Sequence, residues 1–579
     1  MNNLTRQIFQ ISLCLILITV VSCSKDDNPN PEPTILDTDG DTIPDSEDEC
    51  PNVAGLASLN GCPEEEEDVW TINKDGQQAL NVVYFIPTDF SSDETIVANT
   101  TENISKLMLY MQQWFKLQMN KQGFGEKTFG LLTNQHGKVK VMVVQGQNAS
   151  TYYNGSSGLV KEEIDTYLDA NSEFNKSVHT LVLGDAGSKI GFNGYGKWCF
   201  ATSSDFNLTD SGYNIDDLTL MTCPNIGGIM HELGHGLNLP HNCQKASQLP
   251  NIALMSYGNH TYMQDPTKVF LTKSSCAILN VNALFNKTSN GISYYEVKPE
   301  TLMESVSITK NETGNTINIS GTFTSNTEIL HTYAGFDFIN EDSSPPNDNY
   351  DEITYTVVPS KNNDGLYSFE LQVPYNDLWN GYQTNKKDEA VIEINLVAEN
   401  GFRVVAFNHQ YTTNVSTQVP NDDILVNYTA FEYTDRSNWS ISANTTTANT
   451  ERTSDKIIDG SESSFWHSYW PYSFETYGPH TITIDMNQTN TVNGVYVLSN
   501  RDHAVQYRPK QITVKTSIDG TNWNIHSEIT LTTIDDAEHV KIDFADSVDV
   551  RHLKIEVSDI FTNRADAAPN LVITEIDIY

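Results

Sequence analysis

The chain has 579 residues, which is too long for one compact core and predicts three or four domains. Its 75 acidic residues outnumber the 34 basic ones, giving a formal net charge of -41 at pH 7. This balance argues against a nucleic-acid partner, because phosphate binding requires clustered Lys and Arg. The same charge favours the binding of cations such as calcium.

The first 23 residues have the pattern of an export signal. Arg6 precedes a mostly apolar stretch from Ile11 to Val21, which is too short for a comfortable membrane span. The stretch ends at Val20-Val21-Ser22-Cys23, which resembles the lipobox of bacterial lipoproteins. The resemblance implies a lipid on Cys23 and an outer-membrane lipoprotein exposed at the cell surface. An ordinary signal peptide with a chance cysteine is the alternative.

Residues 24–68 form a predicted tether that contains an acidic repeat. Aspartates occupy positions 1, 3, 5, 9 and 12 of a loop: Asp37, Asp39, Asp41, Asp45 and Asp48. This is the ligand spacing of an EF-hand, but the glycine stands at position 4 instead of 6. The segment resembles a thrombospondin type 3 repeat, which implies structural calcium. A solvated acidic linker is the alternative.

Six cysteines follow the signal, and an even number in an exported chain predicts disulfides. Cys50 and Cys62 are the local pair. The pairing of the other four stays open: Cys199, Cys223, Cys243 and Cys276.

Residues 69–290 read as an α/β domain. Apolar residues at helical spacing from Ile104 to Phe115 predict a helix that ends near Gly123. Strands are predicted at 139–144 and 178–183, with a helix at 161–168 between them. The glycine-rich segment 191–201 is interpreted either as an edge strand that pairs with a substrate backbone or as a surface loop.

The segment HELGHGLNLPH, residues 231–241, carries the predicted chemistry. On a helix, His231 and His235 lie on one face and can hold one zinc ion, while Glu232 can act as general base on a water. A third ligand at His241 requires the chain to turn sharply after the helix. Asn238 tolerates a left-handed backbone, and Pro240 prevents a further helical turn. His260 is a rival third ligand without such a turn signal.

These residues resemble the metzincin clan of zinc proteases, whose pattern is HExxHxxGxxH followed by a methionine turn. Asn238 replaces the usual glycine. The resemblance implies that Met255 packs beneath the zinc and that the hydroxyl of Tyr257 touches the metal or stabilises the oxyanion. It implies a zinc endopeptidase with a metzincin-like fold; the alternative for Tyr257 is a simple buried tyrosine.

Two β-rich domains are predicted after the protease. Residues 300–420 alternate apolar and polar residues, as in an immunoglobulin-like sandwich, with Asn400-Gly401 as a hairpin turn. Residues 425–579 resemble the discoidin family, also called the coagulation-factor type C domain, a jelly-roll-like sandwich whose bacterial members often bind sugars.

The discoidin resemblance implies two sites. The first is a calcium site at Asp459, Ser461, Ser464 and Glu575. The second is a sugar-binding face at Trp470, Tyr472, Arg501, Tyr507 and Arg508, although Arg508 before Pro509 is also compatible with a structural role. The whole sequence thus predicts a surface-anchored zinc endopeptidase for glycosylated proteins such as mucins. The alternative function is a glycan-binding adhesin with an inert protease-like domain.

Overall fold

The computed structural model describes sixteen stretches of the chain: 36–64, 67–73, 78–185, 189–203, 225–286, 291–339, 350–379, 388–414, 416–429, 433–445, 451–461, 464–469, 473–499, 507–534, 537–561 and 569–579. The predicted signal, Cys23, Cys223, Trp470, Tyr472 and Arg501 lie outside these residues. Backbone contacts divide the chain into two units, Met1–Asn238 with Ala283–Ser289 and Leu239–Asn282 with Asn290–Tyr579. Among the described residues, no helix is long and apolar enough to cross a membrane.

The acidic repeat is an irregular segment with one short 3-10 helix, Ala57–Leu59. The disulfide Cys50–Cys62 closes the second half of this segment, which confirms the local pair predicted from the sequence. Backbone hydrogen bonds from Glu49 to Asn60 and from Leu56 to Cys62 support the same closure.

The first unit contains a five-stranded sheet of order β4-β2-β5-β7-β6 and a separate pair β1-β3. The pairs β2-β4, β2-β5 and β5-β7 are parallel, and the edge strand β6 is antiparallel to β7. The strands are β1 (Thr71–Ile72), β2 (Asn81–Ile86), β3 (Leu132–Thr133), β4 (Met142–Gln145), β5 (Thr180–Asp185), β6 (Asn193–Tyr195) and β7 (Trp198–Ser203).

The helices of this unit are α1 (Glu94–Lys121), α2 (Ser150–Tyr153), α3 (Ser157–Ala170) and α4 (Ile226–Gly236), with a 3-10 turn at Ala283–Phe285. The Asp93 side chain caps α1 by accepting from the amides of Thr95 and Ile96. Gly123, with a φ of 86°, follows the end of α1. Apolar side chains of β2, β4, β5 and α3 form one buried core: Val83, Phe85, Val144, Val160, Ile164 and Val182.

Residues 239–282 belong with the second unit. They form two short parallel strands, β8 (Ile252–Ala253) and β9 (Val269–Phe270), and the helices α5 (Asn259–Gln264) and α6 (Lys273–Asn280). A π-type turn at Leu254–Gly258 separates β8 from α5, and 3-10 turns lie at Ala246–Gln248 and Pro266–Lys268. Thr272 caps α6 through its side chain.

A β-sandwich follows, built from two five-stranded sheets of order β14-β15-β11-β10-β19 and β13-β12-β16-β17-β18. Its strands are β10 (Thr301–Asn311), β11 (Thr316–Ser325), β12 (Ile329–Phe338), β13 (Ile353–Val357), β14 (Ser360–Lys361), β15 (Tyr367–Pro374), β16 (Glu389–Ala398), β17 (Arg403–Asn414), β18 (Val419–Pro420) and β19 (Val426–Thr429), with 3-10 turns at Tyr375–Leu378 and Asp422–Ile424. Both sheets contribute to one apolar core, for example Ile319 and Leu371 from one and Phe336 and Ile394 from the other. Gly401, with a φ of 90°, lies in the predicted hairpin turn between β16 and β17.

The C-terminal domain has a six-stranded sheet, β20-β22-β25-β23-β24 with β27 paired to β22, and a two-stranded sheet β21-β26. Its elements are β20 (Ser440–Ala443), β21 (Trp466–His467), α7 (Phe474–Tyr477), β22 (His480–Leu498), β23 (Pro509–Ser517), β24 (Asn524–Thr530), β25 (His539–Ile560), β26 (Val572–Ile573) and β27 (Glu575–Ile578), with a 3-10 turn at Ser454–Ile457. Trp466 is fully buried in the core of this domain. The molecule is therefore multidomain and mostly β-sheet.

Candidate metal centre

Helix α4 carries the first two histidines. Its apolar residues Ile229, Met230 and Leu233 are buried, and the helix ends where the amide of Leu237 bonds to the carbonyl of Leu233. His231 is buried and His235 is half-buried, one turn further along. Their Nε2 atoms lie 3.2 Å apart, with the two rings nearly perpendicular. The helix therefore directs both imidazoles at the same point.

The turn after α4 brings the third histidine to that point. Asn238 has a φ of 71°, in the left-handed region, and its amide still bonds to the carbonyl of His235. The helix thus ends at Gly236, and the chain turns at Asn238, as the αL tolerance of asparagine predicts. One nitrogen from each of His231, His235 and His241 lies within 4.8 Å of the others. The exposed His260 is not a member of this group.

The donor set fits a zinc ion. Zinc–nitrogen bonds of about 2.0–2.1 Å in a tetrahedral site place two ligand nitrogens about 3.3 Å apart. The 3.2 Å between His231 Nε2 and His235 Nε2 is close to that spacing. At this distance the two nitrogens can share one cation or one proton. Three protein nitrogens also leave a fourth tetrahedral position for water or substrate.

Glu232 follows His231 in the chain, and its side chain is half-buried. Burial raises the pKa of its carboxyl to about 7. The fully buried thiol of Cys199 lies in the neighbouring strand β7, and burial together with the Glu232 charge raises the pKa of that thiol. A carboxyl with a pKa near neutrality is suited to taking up and releasing a proton.

The C-terminal end of α4 packs tightly on the sheet. A Cβ added at Gly236 would lie 2.5 Å from Cys199 Sγ, so only glycine fits there without a shift. The carbonyl of Gly236 accepts a hydrogen bond of 2.7 Å from Nδ1 of the buried His179. His179, which was not singled out from the sequence, therefore fixes the helix end from which the chain turns toward His241.

The edge strand β6 runs alongside the same helix. A Cβ on Gly194 would lie 2.3 Å from the Cβ of His235 and 2.9 Å from the carbonyl oxygen of Glu232. Segment 191–201 therefore contains a strand at the end of the sheet, followed by β7, and the pairing of this strand with a substrate backbone stays a prediction. Among the described strands, β6 pairs with β7 alone, so it is the last strand of this sheet.

The turn at Leu254–Gly258, which the sequence predicts as a methionine turn, follows the histidine segment in the chain. Met255 is 1% exposed, and its carbonyl accepts a hydrogen bond of 3.3 Å from the amide of Asn242. Tyr257 is 46% exposed, which excludes the simple buried tyrosine considered above. Its ring stacks on Tyr350 at 5.4 Å, and Tyr350 also stacks on His241 at 3.7 Å.

A hydroxyl network supports the residue after the third histidine. Asn242 is 1% exposed. Its side-chain Nδ2 donates to Ser275 Oγ at 3.0 Å, and its side-chain Oδ1 accepts from Thr272 Oγ1 at 2.9 Å. Both partners belong to the start of α6. Neither contact has a signal in the sequence, because the partners are about thirty residues away and of ordinary polar type.

The acidic repeat brings together three of its five predicted ligands. Carboxylate oxygens of Asp37, Asp39 and Asp41 lie within 4.8 Å of one another. Asp45 is not in this group; its two oxygens accept from the amide and hydroxyl of Thr38. Asp48 is also outside it and bonds to the amide of Cys50. Oδ2 of Asp39 is buried and accepts no hydrogen bond from the described residues, which is the kind of oxygen that calcium would satisfy.

The residues of the predicted discoidin calcium site lie together but have protein partners. The amide of Ser461 donates to both Asp459 and Glu575, and the hydroxyl of Ser464 donates to Asp459 at 2.8 Å. Arg436 forms a buried ion pair of 2.6 Å with Glu575. Burial raises the pKa of Glu575 to about 8, and the charge of Arg436 opposes that rise. Since Lys456 also lies 3.2 Å from Asp459, each of the two carboxylates has a cationic side chain beside it, and calcium there stays a prediction.

Two residues of the predicted sugar face are described. Tyr507 is half-buried, and its ring contacts that of His467 edge-on at 5.7 Å. Arg508 is 4% exposed; its guanidinium bonds to Glu538 at 3.0 Å and to the carbonyl of Ile534 at 3.1 Å. The guanidinium therefore holds two loops together, which agrees with the structural role allowed for it above.

Comparison with known proteins identifies the C-terminal domain. A model of the F5/8 type C domain family matches residues 440–570. This confirms the discoidin prediction for that part of the chain. Galactose oxidase from Gibberella zeae is 35% identical over 88 residues, and a sialidase from Micromonospora viridifaciens is 30% identical over 78 residues. The matches cover 15% and 14% of this chain and only 13% and 12% of the two curated relatives.

A solved enzyme is similar over a much larger part of the chain. OgpA from Akkermansia muciniphila, in a catalytically inactive form bound to an O-glycopeptide (glycodrosocin) substrate, has 27% sequence identity and a TM-score of 0.50. The match covers 62% of this chain and 96% of OgpA. The chain thus combines similarity to an enzyme that acts on an O-glycopeptide with an F5/8 type C domain.

Proposed function

We propose that this protein is a metzincin-like zinc endopeptidase that cleaves O-glycosylated proteins such as mucins. The convergence of His231, His235 and His241 carries the proposal, because three neutral imidazoles with one position left open form a catalytic zinc site. The mixed sheet, with α4 beside its edge strand, supports an α/β catalytic domain of this type. The similarity to OgpA supports a peptidase directed at glycosylated protein.

The chemistry is divided between the metal and the chain. Zinc, when bound, supplies a Lewis acid that polarises the scissile carbonyl and lowers the pKa of water. Glu232 takes the proton from the attacking water and returns it to the leaving amine. Its pKa of about 7 suits both transfers at neutral pH. Tyr257, which is exposed on the methionine turn, is the proposed donor to the developing oxyanion.

The edge strand β6 is the proposed substrate track. A peptide in extended conformation could add to the side of β6 that faces away from β7 by backbone hydrogen bonds, as in β-augmentation. The close approach of Gly194 to His235 places this track directly beside a metal ligand. Backbone pairing selects for an extended chain and leaves side-chain preference to the neighbouring loops.

The F5/8 type C domain is proposed to bind glycans of the same substrates. Binding through this domain raises the local concentration of peptide near the catalytic domain without a change in the catalytic site. A lipid on Cys23 would hold the enzyme at the outer surface of the cell. Calcium at the acidic repeat would stiffen the tether between the anchor and the enzyme.

Two measurements on the full chain test the proposal. Metal analysis of the purified protein should find one zinc per chain. An O-glycosylated peptide should be cut, and the same peptide without its glycan should be cut more slowly. Glycan binding without cleavage of any glycosylated or denatured protein would support an adhesin instead. A glycan array with residues 425–579, if they bind no sugar, would remove the targeting role of the C-terminal domain.

A further inference from the structure

Tyr350 belongs to the β-sandwich part of the chain, yet its ring lies on the segment that carries the third histidine. The ring centroids of Tyr350 and His241 are 3.7 Å apart, with 26° between their planes. Tyr350 also stacks on Tyr257, at 5.4 Å and 22°. One ring therefore contacts both a proposed metal ligand and the proposed oxyanion donor.

The backbone beside Tyr350 is tied to the same two turns. The carbonyl of Tyr350 accepts a hydrogen bond of 2.8 Å from the hydroxyl of Ser256, which is fully buried in the methionine turn. The carbonyl of Asp351 accepts from Cys243 Sγ at 3.0 Å, and that of Glu352 accepts from the amide of Cys243 at 2.7 Å. Since Cys243 follows His241 by two residues, these bonds hold Tyr350 in register with the histidine.

The contact continues into strand β13. Ile353 forms a parallel bridge with Cys243, and the hydroxyls of Thr354 and Ser274 lie 2.8 Å apart. Cys243 itself is part of the apolar core of the sandwich. Segment 350–354 is thus held at successive residues, and the position of the Tyr350 ring follows from a fixed backbone.

We propose that Tyr350 is a positioning residue of the metal centre, which the sandwich domain supplies to the peptidase. Its flat ring restricts rotation of the His241 imidazole and so keeps the ligand nitrogen aimed at the ion. The hydrogen-bond partners that orient ligand histidines contribute about 10–100-fold to metal affinity, and we expect a ring stack that restricts rotation to act near the lower end of this range. The proposal rests on the zinc function proposed above and adds that the histidine segment requires the sandwich for its geometry.

The test compares Tyr350→Phe with Tyr350→Leu in the full chain. Phenylalanine keeps the flat ring, whereas leucine fills similar space without it. The zinc dissociation constant is measured by competition with a chromophoric chelator, and the spectrum of the cobalt-substituted protein reports ligand geometry. Tyr152→Ala, which removes a half-exposed ring on α2, is the matched control. Thermal unfolding of each variant establishes that it is folded.

The Phe variant should bind zinc as tightly as the parent, and the Leu variant about tenfold or more weakly with an altered cobalt spectrum. Wild-type affinity in the Leu variant, or equal losses in both variants, would overturn the positioning role. A parent protein that binds no zinc would instead defeat the proposed function. In that case the histidine proton shifts of the apo protein still test the stack, because the ring current at His241 should disappear in the Leu variant alone.

Discussion

The Nδ1–H of His179 donates a hydrogen bond to the carbonyl of Gly236, 2.7 Å away, at the end of the helix that carries two of the three clustered histidines. A carbonyl can only accept, so this contact fixes the tautomer of a ring that is fully buried. Burial lowers the pKa of His179 to about 4, and the hydrogen bond opposes that fall. The ring is therefore neutral in the folded protein at physiological pH.

This contact predicts a loss of stability in mild acid. The unfolded chain, with a histidine pKa of about 6.5, binds a proton that the folded chain does not, so stability falls as the pH drops from about 6.5 toward 4. His179 alone should account for about 2 kcal/mol between pH 7 and pH 5. Hydrogen exchange of the α4 amides measures this locally. His179→Gln should destabilise α4 at pH 7 and reduce its pH dependence, and the exposed His260→Gln should change neither.

Replacement of the proposed base separates metal binding from catalysis. Glu232→Gln keeps the size of the side chain but cannot accept a proton, so peptide cleavage should fall by about 10²–10⁴-fold. Zinc content should not change, because the three imidazoles are untouched. Glu162→Gln, at an exposed position of α3, is the control and should keep full activity. Normal cleavage by Glu232→Gln would contradict the role of this carboxylate.

Two substitutions of Asn238, the left-handed residue between the second and third histidines, test whether the turn depends on its backbone conformation. Asn238→Gly should retain both zinc affinity and activity, because glycine adopts a φ of 71° without strain. Asn238→Ala should cost about 1–2 kcal/mol and weaken zinc binding, because a Cβ disfavours this conformation and alanine lacks the local hydrogen bonds of asparagine. Thermal unfolding and chelator competition give the two quantities. Equal behaviour of the two variants would show that the turn does not depend on the backbone conformation of this residue.

The edge strand offers a steric test of the substrate track. Gly194→Ala places a methyl group within contact distance of His235 and the Glu232 carbonyl, so either β6 or α4 must shift. Cleavage and zinc affinity should both decrease. Gly158→Ala, on α3, meets no atom within 4 Å and should be neutral or slightly stabilising. An active Gly194→Ala variant would mean that β6 moves without effect on the reaction.

The proposed calcium site of the acidic repeat includes the buried Oδ2 of Asp39. Asp39→Asn removes the charge at the carboxylate whose Oδ2 accepts no hydrogen bond from the described residues, and calcium affinity measured by titration calorimetry should fall. Glu64→Gln removes an equal charge from an exposed position outside the loop. A similar loss in both variants would indicate diffuse attraction to the acidic segment and no defined site.

The parts of the fold that sequence could predict are local. The turn at Asn238, the hairpin at Gly401 and the Cys50–Cys62 disulfide all follow from residue types within about a dozen positions of one another. One predicted strand began too early, at residue 139. Val139 forms an isolated bridge with Thr133, and β4 starts only at Met142. The residues that form this bridge and the residues of β4 are both extended, so the sequence pattern does not show where one ends and the other begins.

The contacts that sequence could not predict join distant residues. His179 and Gly236 are 57 positions apart, and nothing in either neighbourhood marks the pair. Tyr350 stands in an acidic, polar stretch where an aromatic residue has no periodicity to indicate its partner. Backbone contacts divide the chain at Asn238, inside the predicted domain 69–290, whose extent stays a prediction. The division of a chain into compact units depends on tertiary packing, which the order of residue types along the sequence does not show.

The bond between Cys243 and Asp351 closes a loop of 108 residues. Contacts that close long loops form late in folding, because the chain loses conformational entropy before the contact contributes any stabilising free energy. We therefore expect the segment around His241 to reach its final shape only after the sandwich strands have been synthesised and have collapsed. A newly made chain would then carry His231 and His235 without a fixed third histidine until residue 351 had been added.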